Sequence, residues 1–236
     1  MMDPKLLSSS VDFHDDLTRN IPGIRASQSL FDDLSSDPVD WDIAIAAEGS
    51  DRIPTASALI TRPFDYGSVI GYGFEPAHWQ ATRFSDGSSY GVWYGSLEIE
   101  TTVYETAWHW YRFVLDSYAA EARVIVTDRR VFDVRCDALL VDVRGKERAY
   151  PGLVSRTSYA FTQKLGRYLR EQDQNGLLVQ SARCDGVNGA ILRAERLSNV
   201  RDRAYLTYRL DVAQDSLVVE RTQGRKWMKV TPSSLG

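Results

Sequence analysis

Arg83, Tyr94 and Glu105 stand eleven residues apart within the segment RFSDGSSYGVWYGSLEIETTVYETAWHW (83–110), and His109 follows Glu105 by four. Together these side chains suit a dinucleotide. A guanidinium forks onto phosphate oxygens, and an aromatic ring stacks on a flat cationic heterocycle. A carboxylate stabilises the positive charge that builds on a ribose as its N-glycosidic bond breaks. Taken by themselves the residues leave other uses open: Tyr94 fits a core aromatic equally well, and Arg83 a surface ion-pair partner. His109 shares a helix face with Glu105. It would orient the carboxylate or an incoming acceptor, or serve only as a structural helix histidine.

The surrounding pattern says which elements must hold these groups. Arg83 falls in HWQATRF (78–84) and Tyr94 in YGVWYGS (90–96), two short β-branched and aromatic runs that read as strands, with the turn DGSS (86–89) between them. Ser96 is an N-cap candidate ahead of Glu98 and Glu100. Ile99, Val103, Ala107, Trp110 and Val114 recur at helical spacing, which predicts a helix over 97–118. SALITR (57–62) reads as a further strand. ARVIVTD, RVFDVR and ALLVDVR (122–144) read as separate strands with Asp-Arg and Cys-Asp turns. SYAFTQKLGRYLREQ (158–172) reads as a second helix, and GLLVQSA, NGAILRAERL, AYLTYRLDV and SLVVERT as later strands. The sum is an α+β fold, rich in strands and without a βαβ rhythm. Residues 1–54 are polar and acidic and suggest small helices or an ordered extension packed on a core domain at 55–236.

Composition removes several function classes. The 236 residues carry a net charge of −4, and the 28 basic residues are dispersed, so no electrostatic footprint for nucleic acid is present. No apolar run approaches the roughly 20 residues of a bilayer crossing. Cys136 and Cys184 form no CxxC pair and no secretory leader opens the chain, which points to a reducing, cytoplasmic location. His14, His78 and His109 lack ligand spacing, so no bound metal is expected.

The segments R83-F-S, V-W-Y94-G-S and E-T-T-V-Y-E105 resemble the middle motif of the RES domain family, toxins of bacterial RES-Xre toxin-antitoxin modules, in order and in spacing. NGLLVQSARCDGVNGAIL resembles the family's Gly-hydrophobic-x-Pro-Ser-Ala-Arg segment, with Ser181 as its serine, Asn188 as a nearby asparagine and Gln180 where proline is common. The likeness spans about 58–197. The arginine that the family carries on its first strand is matched with Arg62 in LITRPF. There Pro63 replaces the usual aromatic, and Tyr66 and Tyr72 are candidate substitutes.

The resemblance implies a compact mixed-sheet fold similar to the ADP-ribosyltransferase toxins and an enzyme that cleaves NAD by hydrolysis or phosphorolysis. NAD would be its substrate and inorganic phosphate a candidate co-substrate, with no prosthetic group. It assigns Arg62 and Arg83 to the pyrophosphate, Tyr94 to nicotinamide or ribose, Glu105 to the oxocarbenium-like transition state, and Ser181, with Asn188, to ribose or phosphate. An Xre-type antitoxin would cover the site, often in a larger homo- or hetero-oligomeric assembly, and would carry any DNA-binding element itself. ADP-ribosyl transfer to a protein is the rival enzymatic reading, although the second acid expected two residues before the glutamate is here Val103. A binding protein that has kept the fold without the activity is the rival outside enzymology. Cys184 as a nucleophile has no base near it in sequence.

Overall fold

The computed structural model describes residues 2–23, 66–117 and 124–236; the SALITR strand and Arg62 lie outside them. Strands are β1 (Ser10–Pro22), β2 (Trp93–Ser96), β3 (Ile125–Asp142), β4 (Gly176–Gln180), β5 (Val187–Ile191), β6 (Leu197–Asp211), β7 (Ser216–Thr222) and β8 (Arg225–Val230). Helices are α1 (Tyr66–Gly71), α2 (Ile99–Ser117) and α3 (Ala160–Glu171), with short 3₁₀ turns at Pro76–His78, Pro151–Val154, Ala194–Arg196 and Pro232–Leu235.

The eight strands form one mixed sheet in the order β1-β2-β5-β4-β3-β6-β7-β8, and β1 also pairs with β3. Five strands therefore close on themselves, and β6 to β8 continue outward from β3. The joint between β1 and β2 is a single residue pair, Thr18 with Ser96. Phe13, Leu17, Trp93, Phe132, Val134, Leu178 and Ile191 pack together among the closed strands. Leu165 and Leu169 of α3 bury against Val141, Leu177 and Val179, while Val103, Ala107 and Val114 of α2 bury against Leu206, Tyr208 and Leu217. The pair β3 and β4 is parallel, with α3 in the crossover, so one βαβ unit sits in an otherwise antiparallel sheet. No described helix is long and apolar enough to cross a membrane.

Several local expectations are corrected. Residues 10–22 are not helical. They form a strand paired along its whole length with β3, from Ser10 opposite Val141 to Pro22 opposite Arg129. The three strands expected over 122–144 are one strand of 18 residues. Its polar residues are taken up by neighbouring strands and do not turn: Asp128 accepts the Thr207 hydroxyl, Asp133 pairs with Arg203, and Asp137 with His14. HWQATRF is a 3₁₀ turn and a loop. The Phe84 N–H donates to the Tyr94 hydroxyl, and the Gln163 amide donates to the carbonyls of Thr82 and Ser85, so side chains replace a strand ladder. Gly166 of α3 makes this possible, since a Cβ there would lie 1.9 Å from the Phe84 oxygen. Ser96 does not cap α2; its hydroxyl donates to Asn188 Oδ1 at 2.6 Å.

Candidate active site

A cleft of about 470 Å³ opens between β1, β2, the 80–84 loop and α2, within the size range of small-molecule sites. Arg83, Tyr94, Glu105, His109 and Asn188 all line it, so five residues singled out in sequence meet in one place. Arg19 of β1 and Tyr159 at the start of α3 line it as well. Among the described residues its charged lining is two guanidiniums and one carboxylate.

The carboxylate is held from one side. Glu105 Oε1 accepts the Ser181 hydroxyl at 2.7 Å and the Asn188 amide at 2.7 Å, and among the described residues no protein donor reaches Oε2. Asn188 is itself oriented by Ser96, whose donated hydrogen bond fixes the amide oxygen and leaves the NH₂ aimed at Glu105. Ser181, 5% exposed, also accepts the backbone N–H groups of Arg183 and Cys184, which sets its hydroxyl proton towards the carboxylate. Ser181 is not among the residues lining the cleft; it supports Glu105 from the adjoining depression that Arg156, Gln180 and Cys184 also line.

The arginines differ in their surroundings. Arg83 donates to the carbonyls of Ser155 at 3.0 Å and Leu153 at 3.4 Å, and its guanidinium lies 4.8 Å from the centre of the Tyr159 ring. Arg19 donates to the Tyr94 carbonyl at 2.8 Å and rests 5.1 Å from the Trp93 ring centre, while its Nε has no partner. No acidic side chain offsets its charge among the described residues, and burial lowers its pKa to about 10. Below it Arg129 donates to the Asn20 side chain at 2.6 Å, and Asn20 donates to Tyr208 and Thr102, which ties β1 and β3 to α2 at the cleft floor.

Tyr94 is pinned by its hydroxyl, which pairs with Thr82 Oγ1 at 2.8 Å and accepts from Phe84 N; burial pushes its pKa up, so it stays protonated. Burial lowers the pKa of His109, Glu105 partly counters this, and Arg183, Arg83 and Arg129 lower it further. Burial raises the Cys184 thiol, the opposite of an activated nucleophile. Tyr66 donates to Asp202 and Tyr72 stacks on His78, so neither substitute aromatic lines the cleft. Among the described residues no His, Cys and carboxylate group could hold a metal ion.

Arg19 was not reached from sequence. Its signal was the alternation Val11, Phe13, Leu17, Ile21, interrupted at Asp15 and at Arg19 itself.

The RES domain signature matches residues 50–211, more than half of the chain. The chain belongs to the RES domain family. β1, with Arg19, precedes the matched region of this RES domain, and β7 and β8 follow it. No curated protein matches the sequence. Among solved structures it is similar to the M. tuberculosis MbcT-MbcA toxin-antitoxin complex, at 12% identity over 90% of this chain and 95% of that one, with a TM-score of 0.44.

Proposed function

We propose that this RES domain protein is the toxin of a toxin-antitoxin module and depletes NAD by cleaving the bond between nicotinamide and ribose. The observation that carries the reading is Glu105. One carboxylate oxygen is fixed by Ser181 and Asn188, and Glu105 lines a cleft whose other charged lining groups, among the described residues, are Arg19 and Arg83.

In the proposed reaction Arg19 and Arg83 pair with the pyrophosphate oxygens. Arg62, to which the sequence resemblance gives the pyrophosphate, lies outside the described residues; Arg19 stands outside the matched region but lines the cleft beside Arg83. A buried guanidinium with an unpaired Nε and no acidic neighbour gains most from an incoming anion. The C1′–N bond breaks with its electron pair passing to the ring nitrogen, and nicotinamide leaves neutral. Glu105 stabilises the ribosyl cation left behind. Oxygen of water, which releases a proton to solvent, or of phosphate then bonds to the same ribose carbon, giving ADP-ribose or its 1″-phosphate. Val103, two residues before Glu105, is fully buried in the core face of α2. No second acid stands there to activate a protein acceptor, so ADP-ribosyl transfer to protein is the less supported outcome. The proposed inhibitor is an Xre-type antitoxin that occludes this cleft in a reducing cytoplasm.

The test is incubation of purified protein with NAD, with and without inorganic phosphate, beside Glu105→Ala, with products followed by mass. Nicotinamide release by wild type alone is expected, and a phosphate-dependent product distinguishes phosphorolysis from hydrolysis. Intact NAD under both conditions would overturn the reading.

A further inference from the structure

Among the described residues three aromatic side chains line the cleft: Phe84, Tyr94 and Tyr159. Phe84 is 1% exposed, and Tyr94 is fastened by its hydroxyl and packs against Phe84 at 6.4 Å between ring centres. Tyr159 is different. It caps the first turn of α3, half-buried, with the Arg83 guanidinium over its face and the Arg183 guanidinium beside its hydroxyl. Tyr159 and Glu105 line the same cleft.

The occupant of that face is informative. A guanidinium is a flat, delocalised cation, and the ring's electron-rich face holds it at 4.8 Å. The pyridinium of NAD is also a flat, delocalised cation. We propose that Tyr159, and not Tyr94, is the platform for the nicotinamide ring, and that Arg83 and the pyridinium take its face in turn, Arg83 leaving it for the pyrophosphate. This rests on the NAD-cleaving reading above and adds the residue that selects the oxidised cofactor. Arg83 needs only to exchange the Leu153 and Ser155 carbonyls, both on the chain leading into Tyr159, for phosphate oxygens.

The chemistry sets a particular kinetic signature. The attraction between ring and pyridinium exists in the ground state and fades as the electron pair reaches the ring nitrogen, so it stabilises bound NAD more than it stabilises the transition state. Neutral product then leaves a face that no longer attracts it. A residue that merely walls the cleft would not separate oxidised from reduced nucleotide.

The experiment measures NAD and NADH binding by calorimetry in Glu105→Gln, which retains shape while blocking turnover, and in Glu105→Gln with Tyr159→Leu or Tyr159→Phe. Tyr159→Leu should weaken NAD about tenfold while moving NADH less than about twofold, and Tyr159→Phe should retain NAD affinity. With Glu105 intact, Tyr159→Leu should raise KM and kcat together, so that kcat/KM stays nearly unchanged. Equal loss for both nucleotides in a variant that unfolds at the parent temperature would make Tyr159 a wall and overturn the proposal, as would unchanged NAD affinity. If the Tyr159 parent binds neither nucleotide, the NAD reading itself falls and takes this inference with it.

Discussion

Replacing Arg19 by methionine should make the protein more stable and less active. The buried guanidinium has a pKa of about 10 against an ordinary 12.5, a shift worth about 3 kcal/mol against the charged form if taken in full. The side chain borders the cleft and keeps some contact with water, so the full figure is an upper bound. Methionine would also forfeit the hydrogen bond to the Tyr94 carbonyl, about 1 kcal/mol. A net gain of about 1–2 kcal/mol remains, which for a chain of this size raises the unfolding temperature by roughly 2–8 °C. Turnover should move the other way: losing a charge-assisted contact to phosphate costs about 1.5–3 kcal/mol, or about 10- to 150-fold in kcat/KM for NAD. Arg19→Lys should fall between, since it keeps the charge without the fork. The assay is thermal unfolding beside nicotinamide release. A marked fall in unfolding temperature for Arg19→Met, or undiminished turnover, would refute the reasoning that this cation is held for an anionic ligand.

Two further outcomes follow from the same network. Ser181→Ala and Asn188→Ala each remove one of the two hydrogen bonds on Glu105 Oε1, and each should lower kcat about tenfold or more while KM changes little; the double variant should lose less than the product of the two. Equal rises in KM would show that they bind substrate directly. For His109, folding lowers the pKa, so the unfolded chain takes up a proton first as pH falls. Its effect on stability is absent above about pH 6.5 and becomes a growing penalty below it, down to the folded value. His109→Gln should therefore flatten the loss of stability between about pH 6.5 and 5 in pH-dependent unfolding, and an unchanged profile would count against a crowded, neutral imidazole.

How much of this was legible in the sequence depended on whether each element's signal was local. The periodicity of Ile99, Val103, Ala107 and Val114 specified α2 within two residues of its observed start, and Glu105 with it, because a helix face is written at fixed spacing. The 80–84 loop defeated the same approach. Its composition favours a strand, yet its hydrogen-bonding partners are the Tyr94 hydroxyl on β2, ten residues on, and the Gln163 amide on α3, far away in sequence. β3 failed for a related reason. Pairs such as Asp128-Arg129 are turn-like in isolation, and only the cross-strand partners Thr207 and Asn20 make them extended.

β1 is the most instructive case, because the same acids that concealed it also explain how it is held. Val11, Phe13, Leu17 and Ile21 alternate as a half-buried strand should, but Asp12, Asp15 and Asp16 make the run look like a solvated extension. In the fold Asp16 pairs with Arg201, Asp12 lies against His14, and His14 meets Asp137. Charge complementarity with β3 and β6 thus secures the outer side of the strand, while Phe13 and Leu17 fill the closed sheet. That arrangement leaves Thr18, Arg19 and Asn20 at the cleft. Thr18 is the joint to β2, Asn20 the tie to Arg129 and α2, and Arg19 the charge left without an acidic partner between them. All three residues tie β1 to its neighbours, Arg19 through the Tyr94 carbonyl of β2, so the strand that completes the fold also brings a second cation to the cleft beside Arg83.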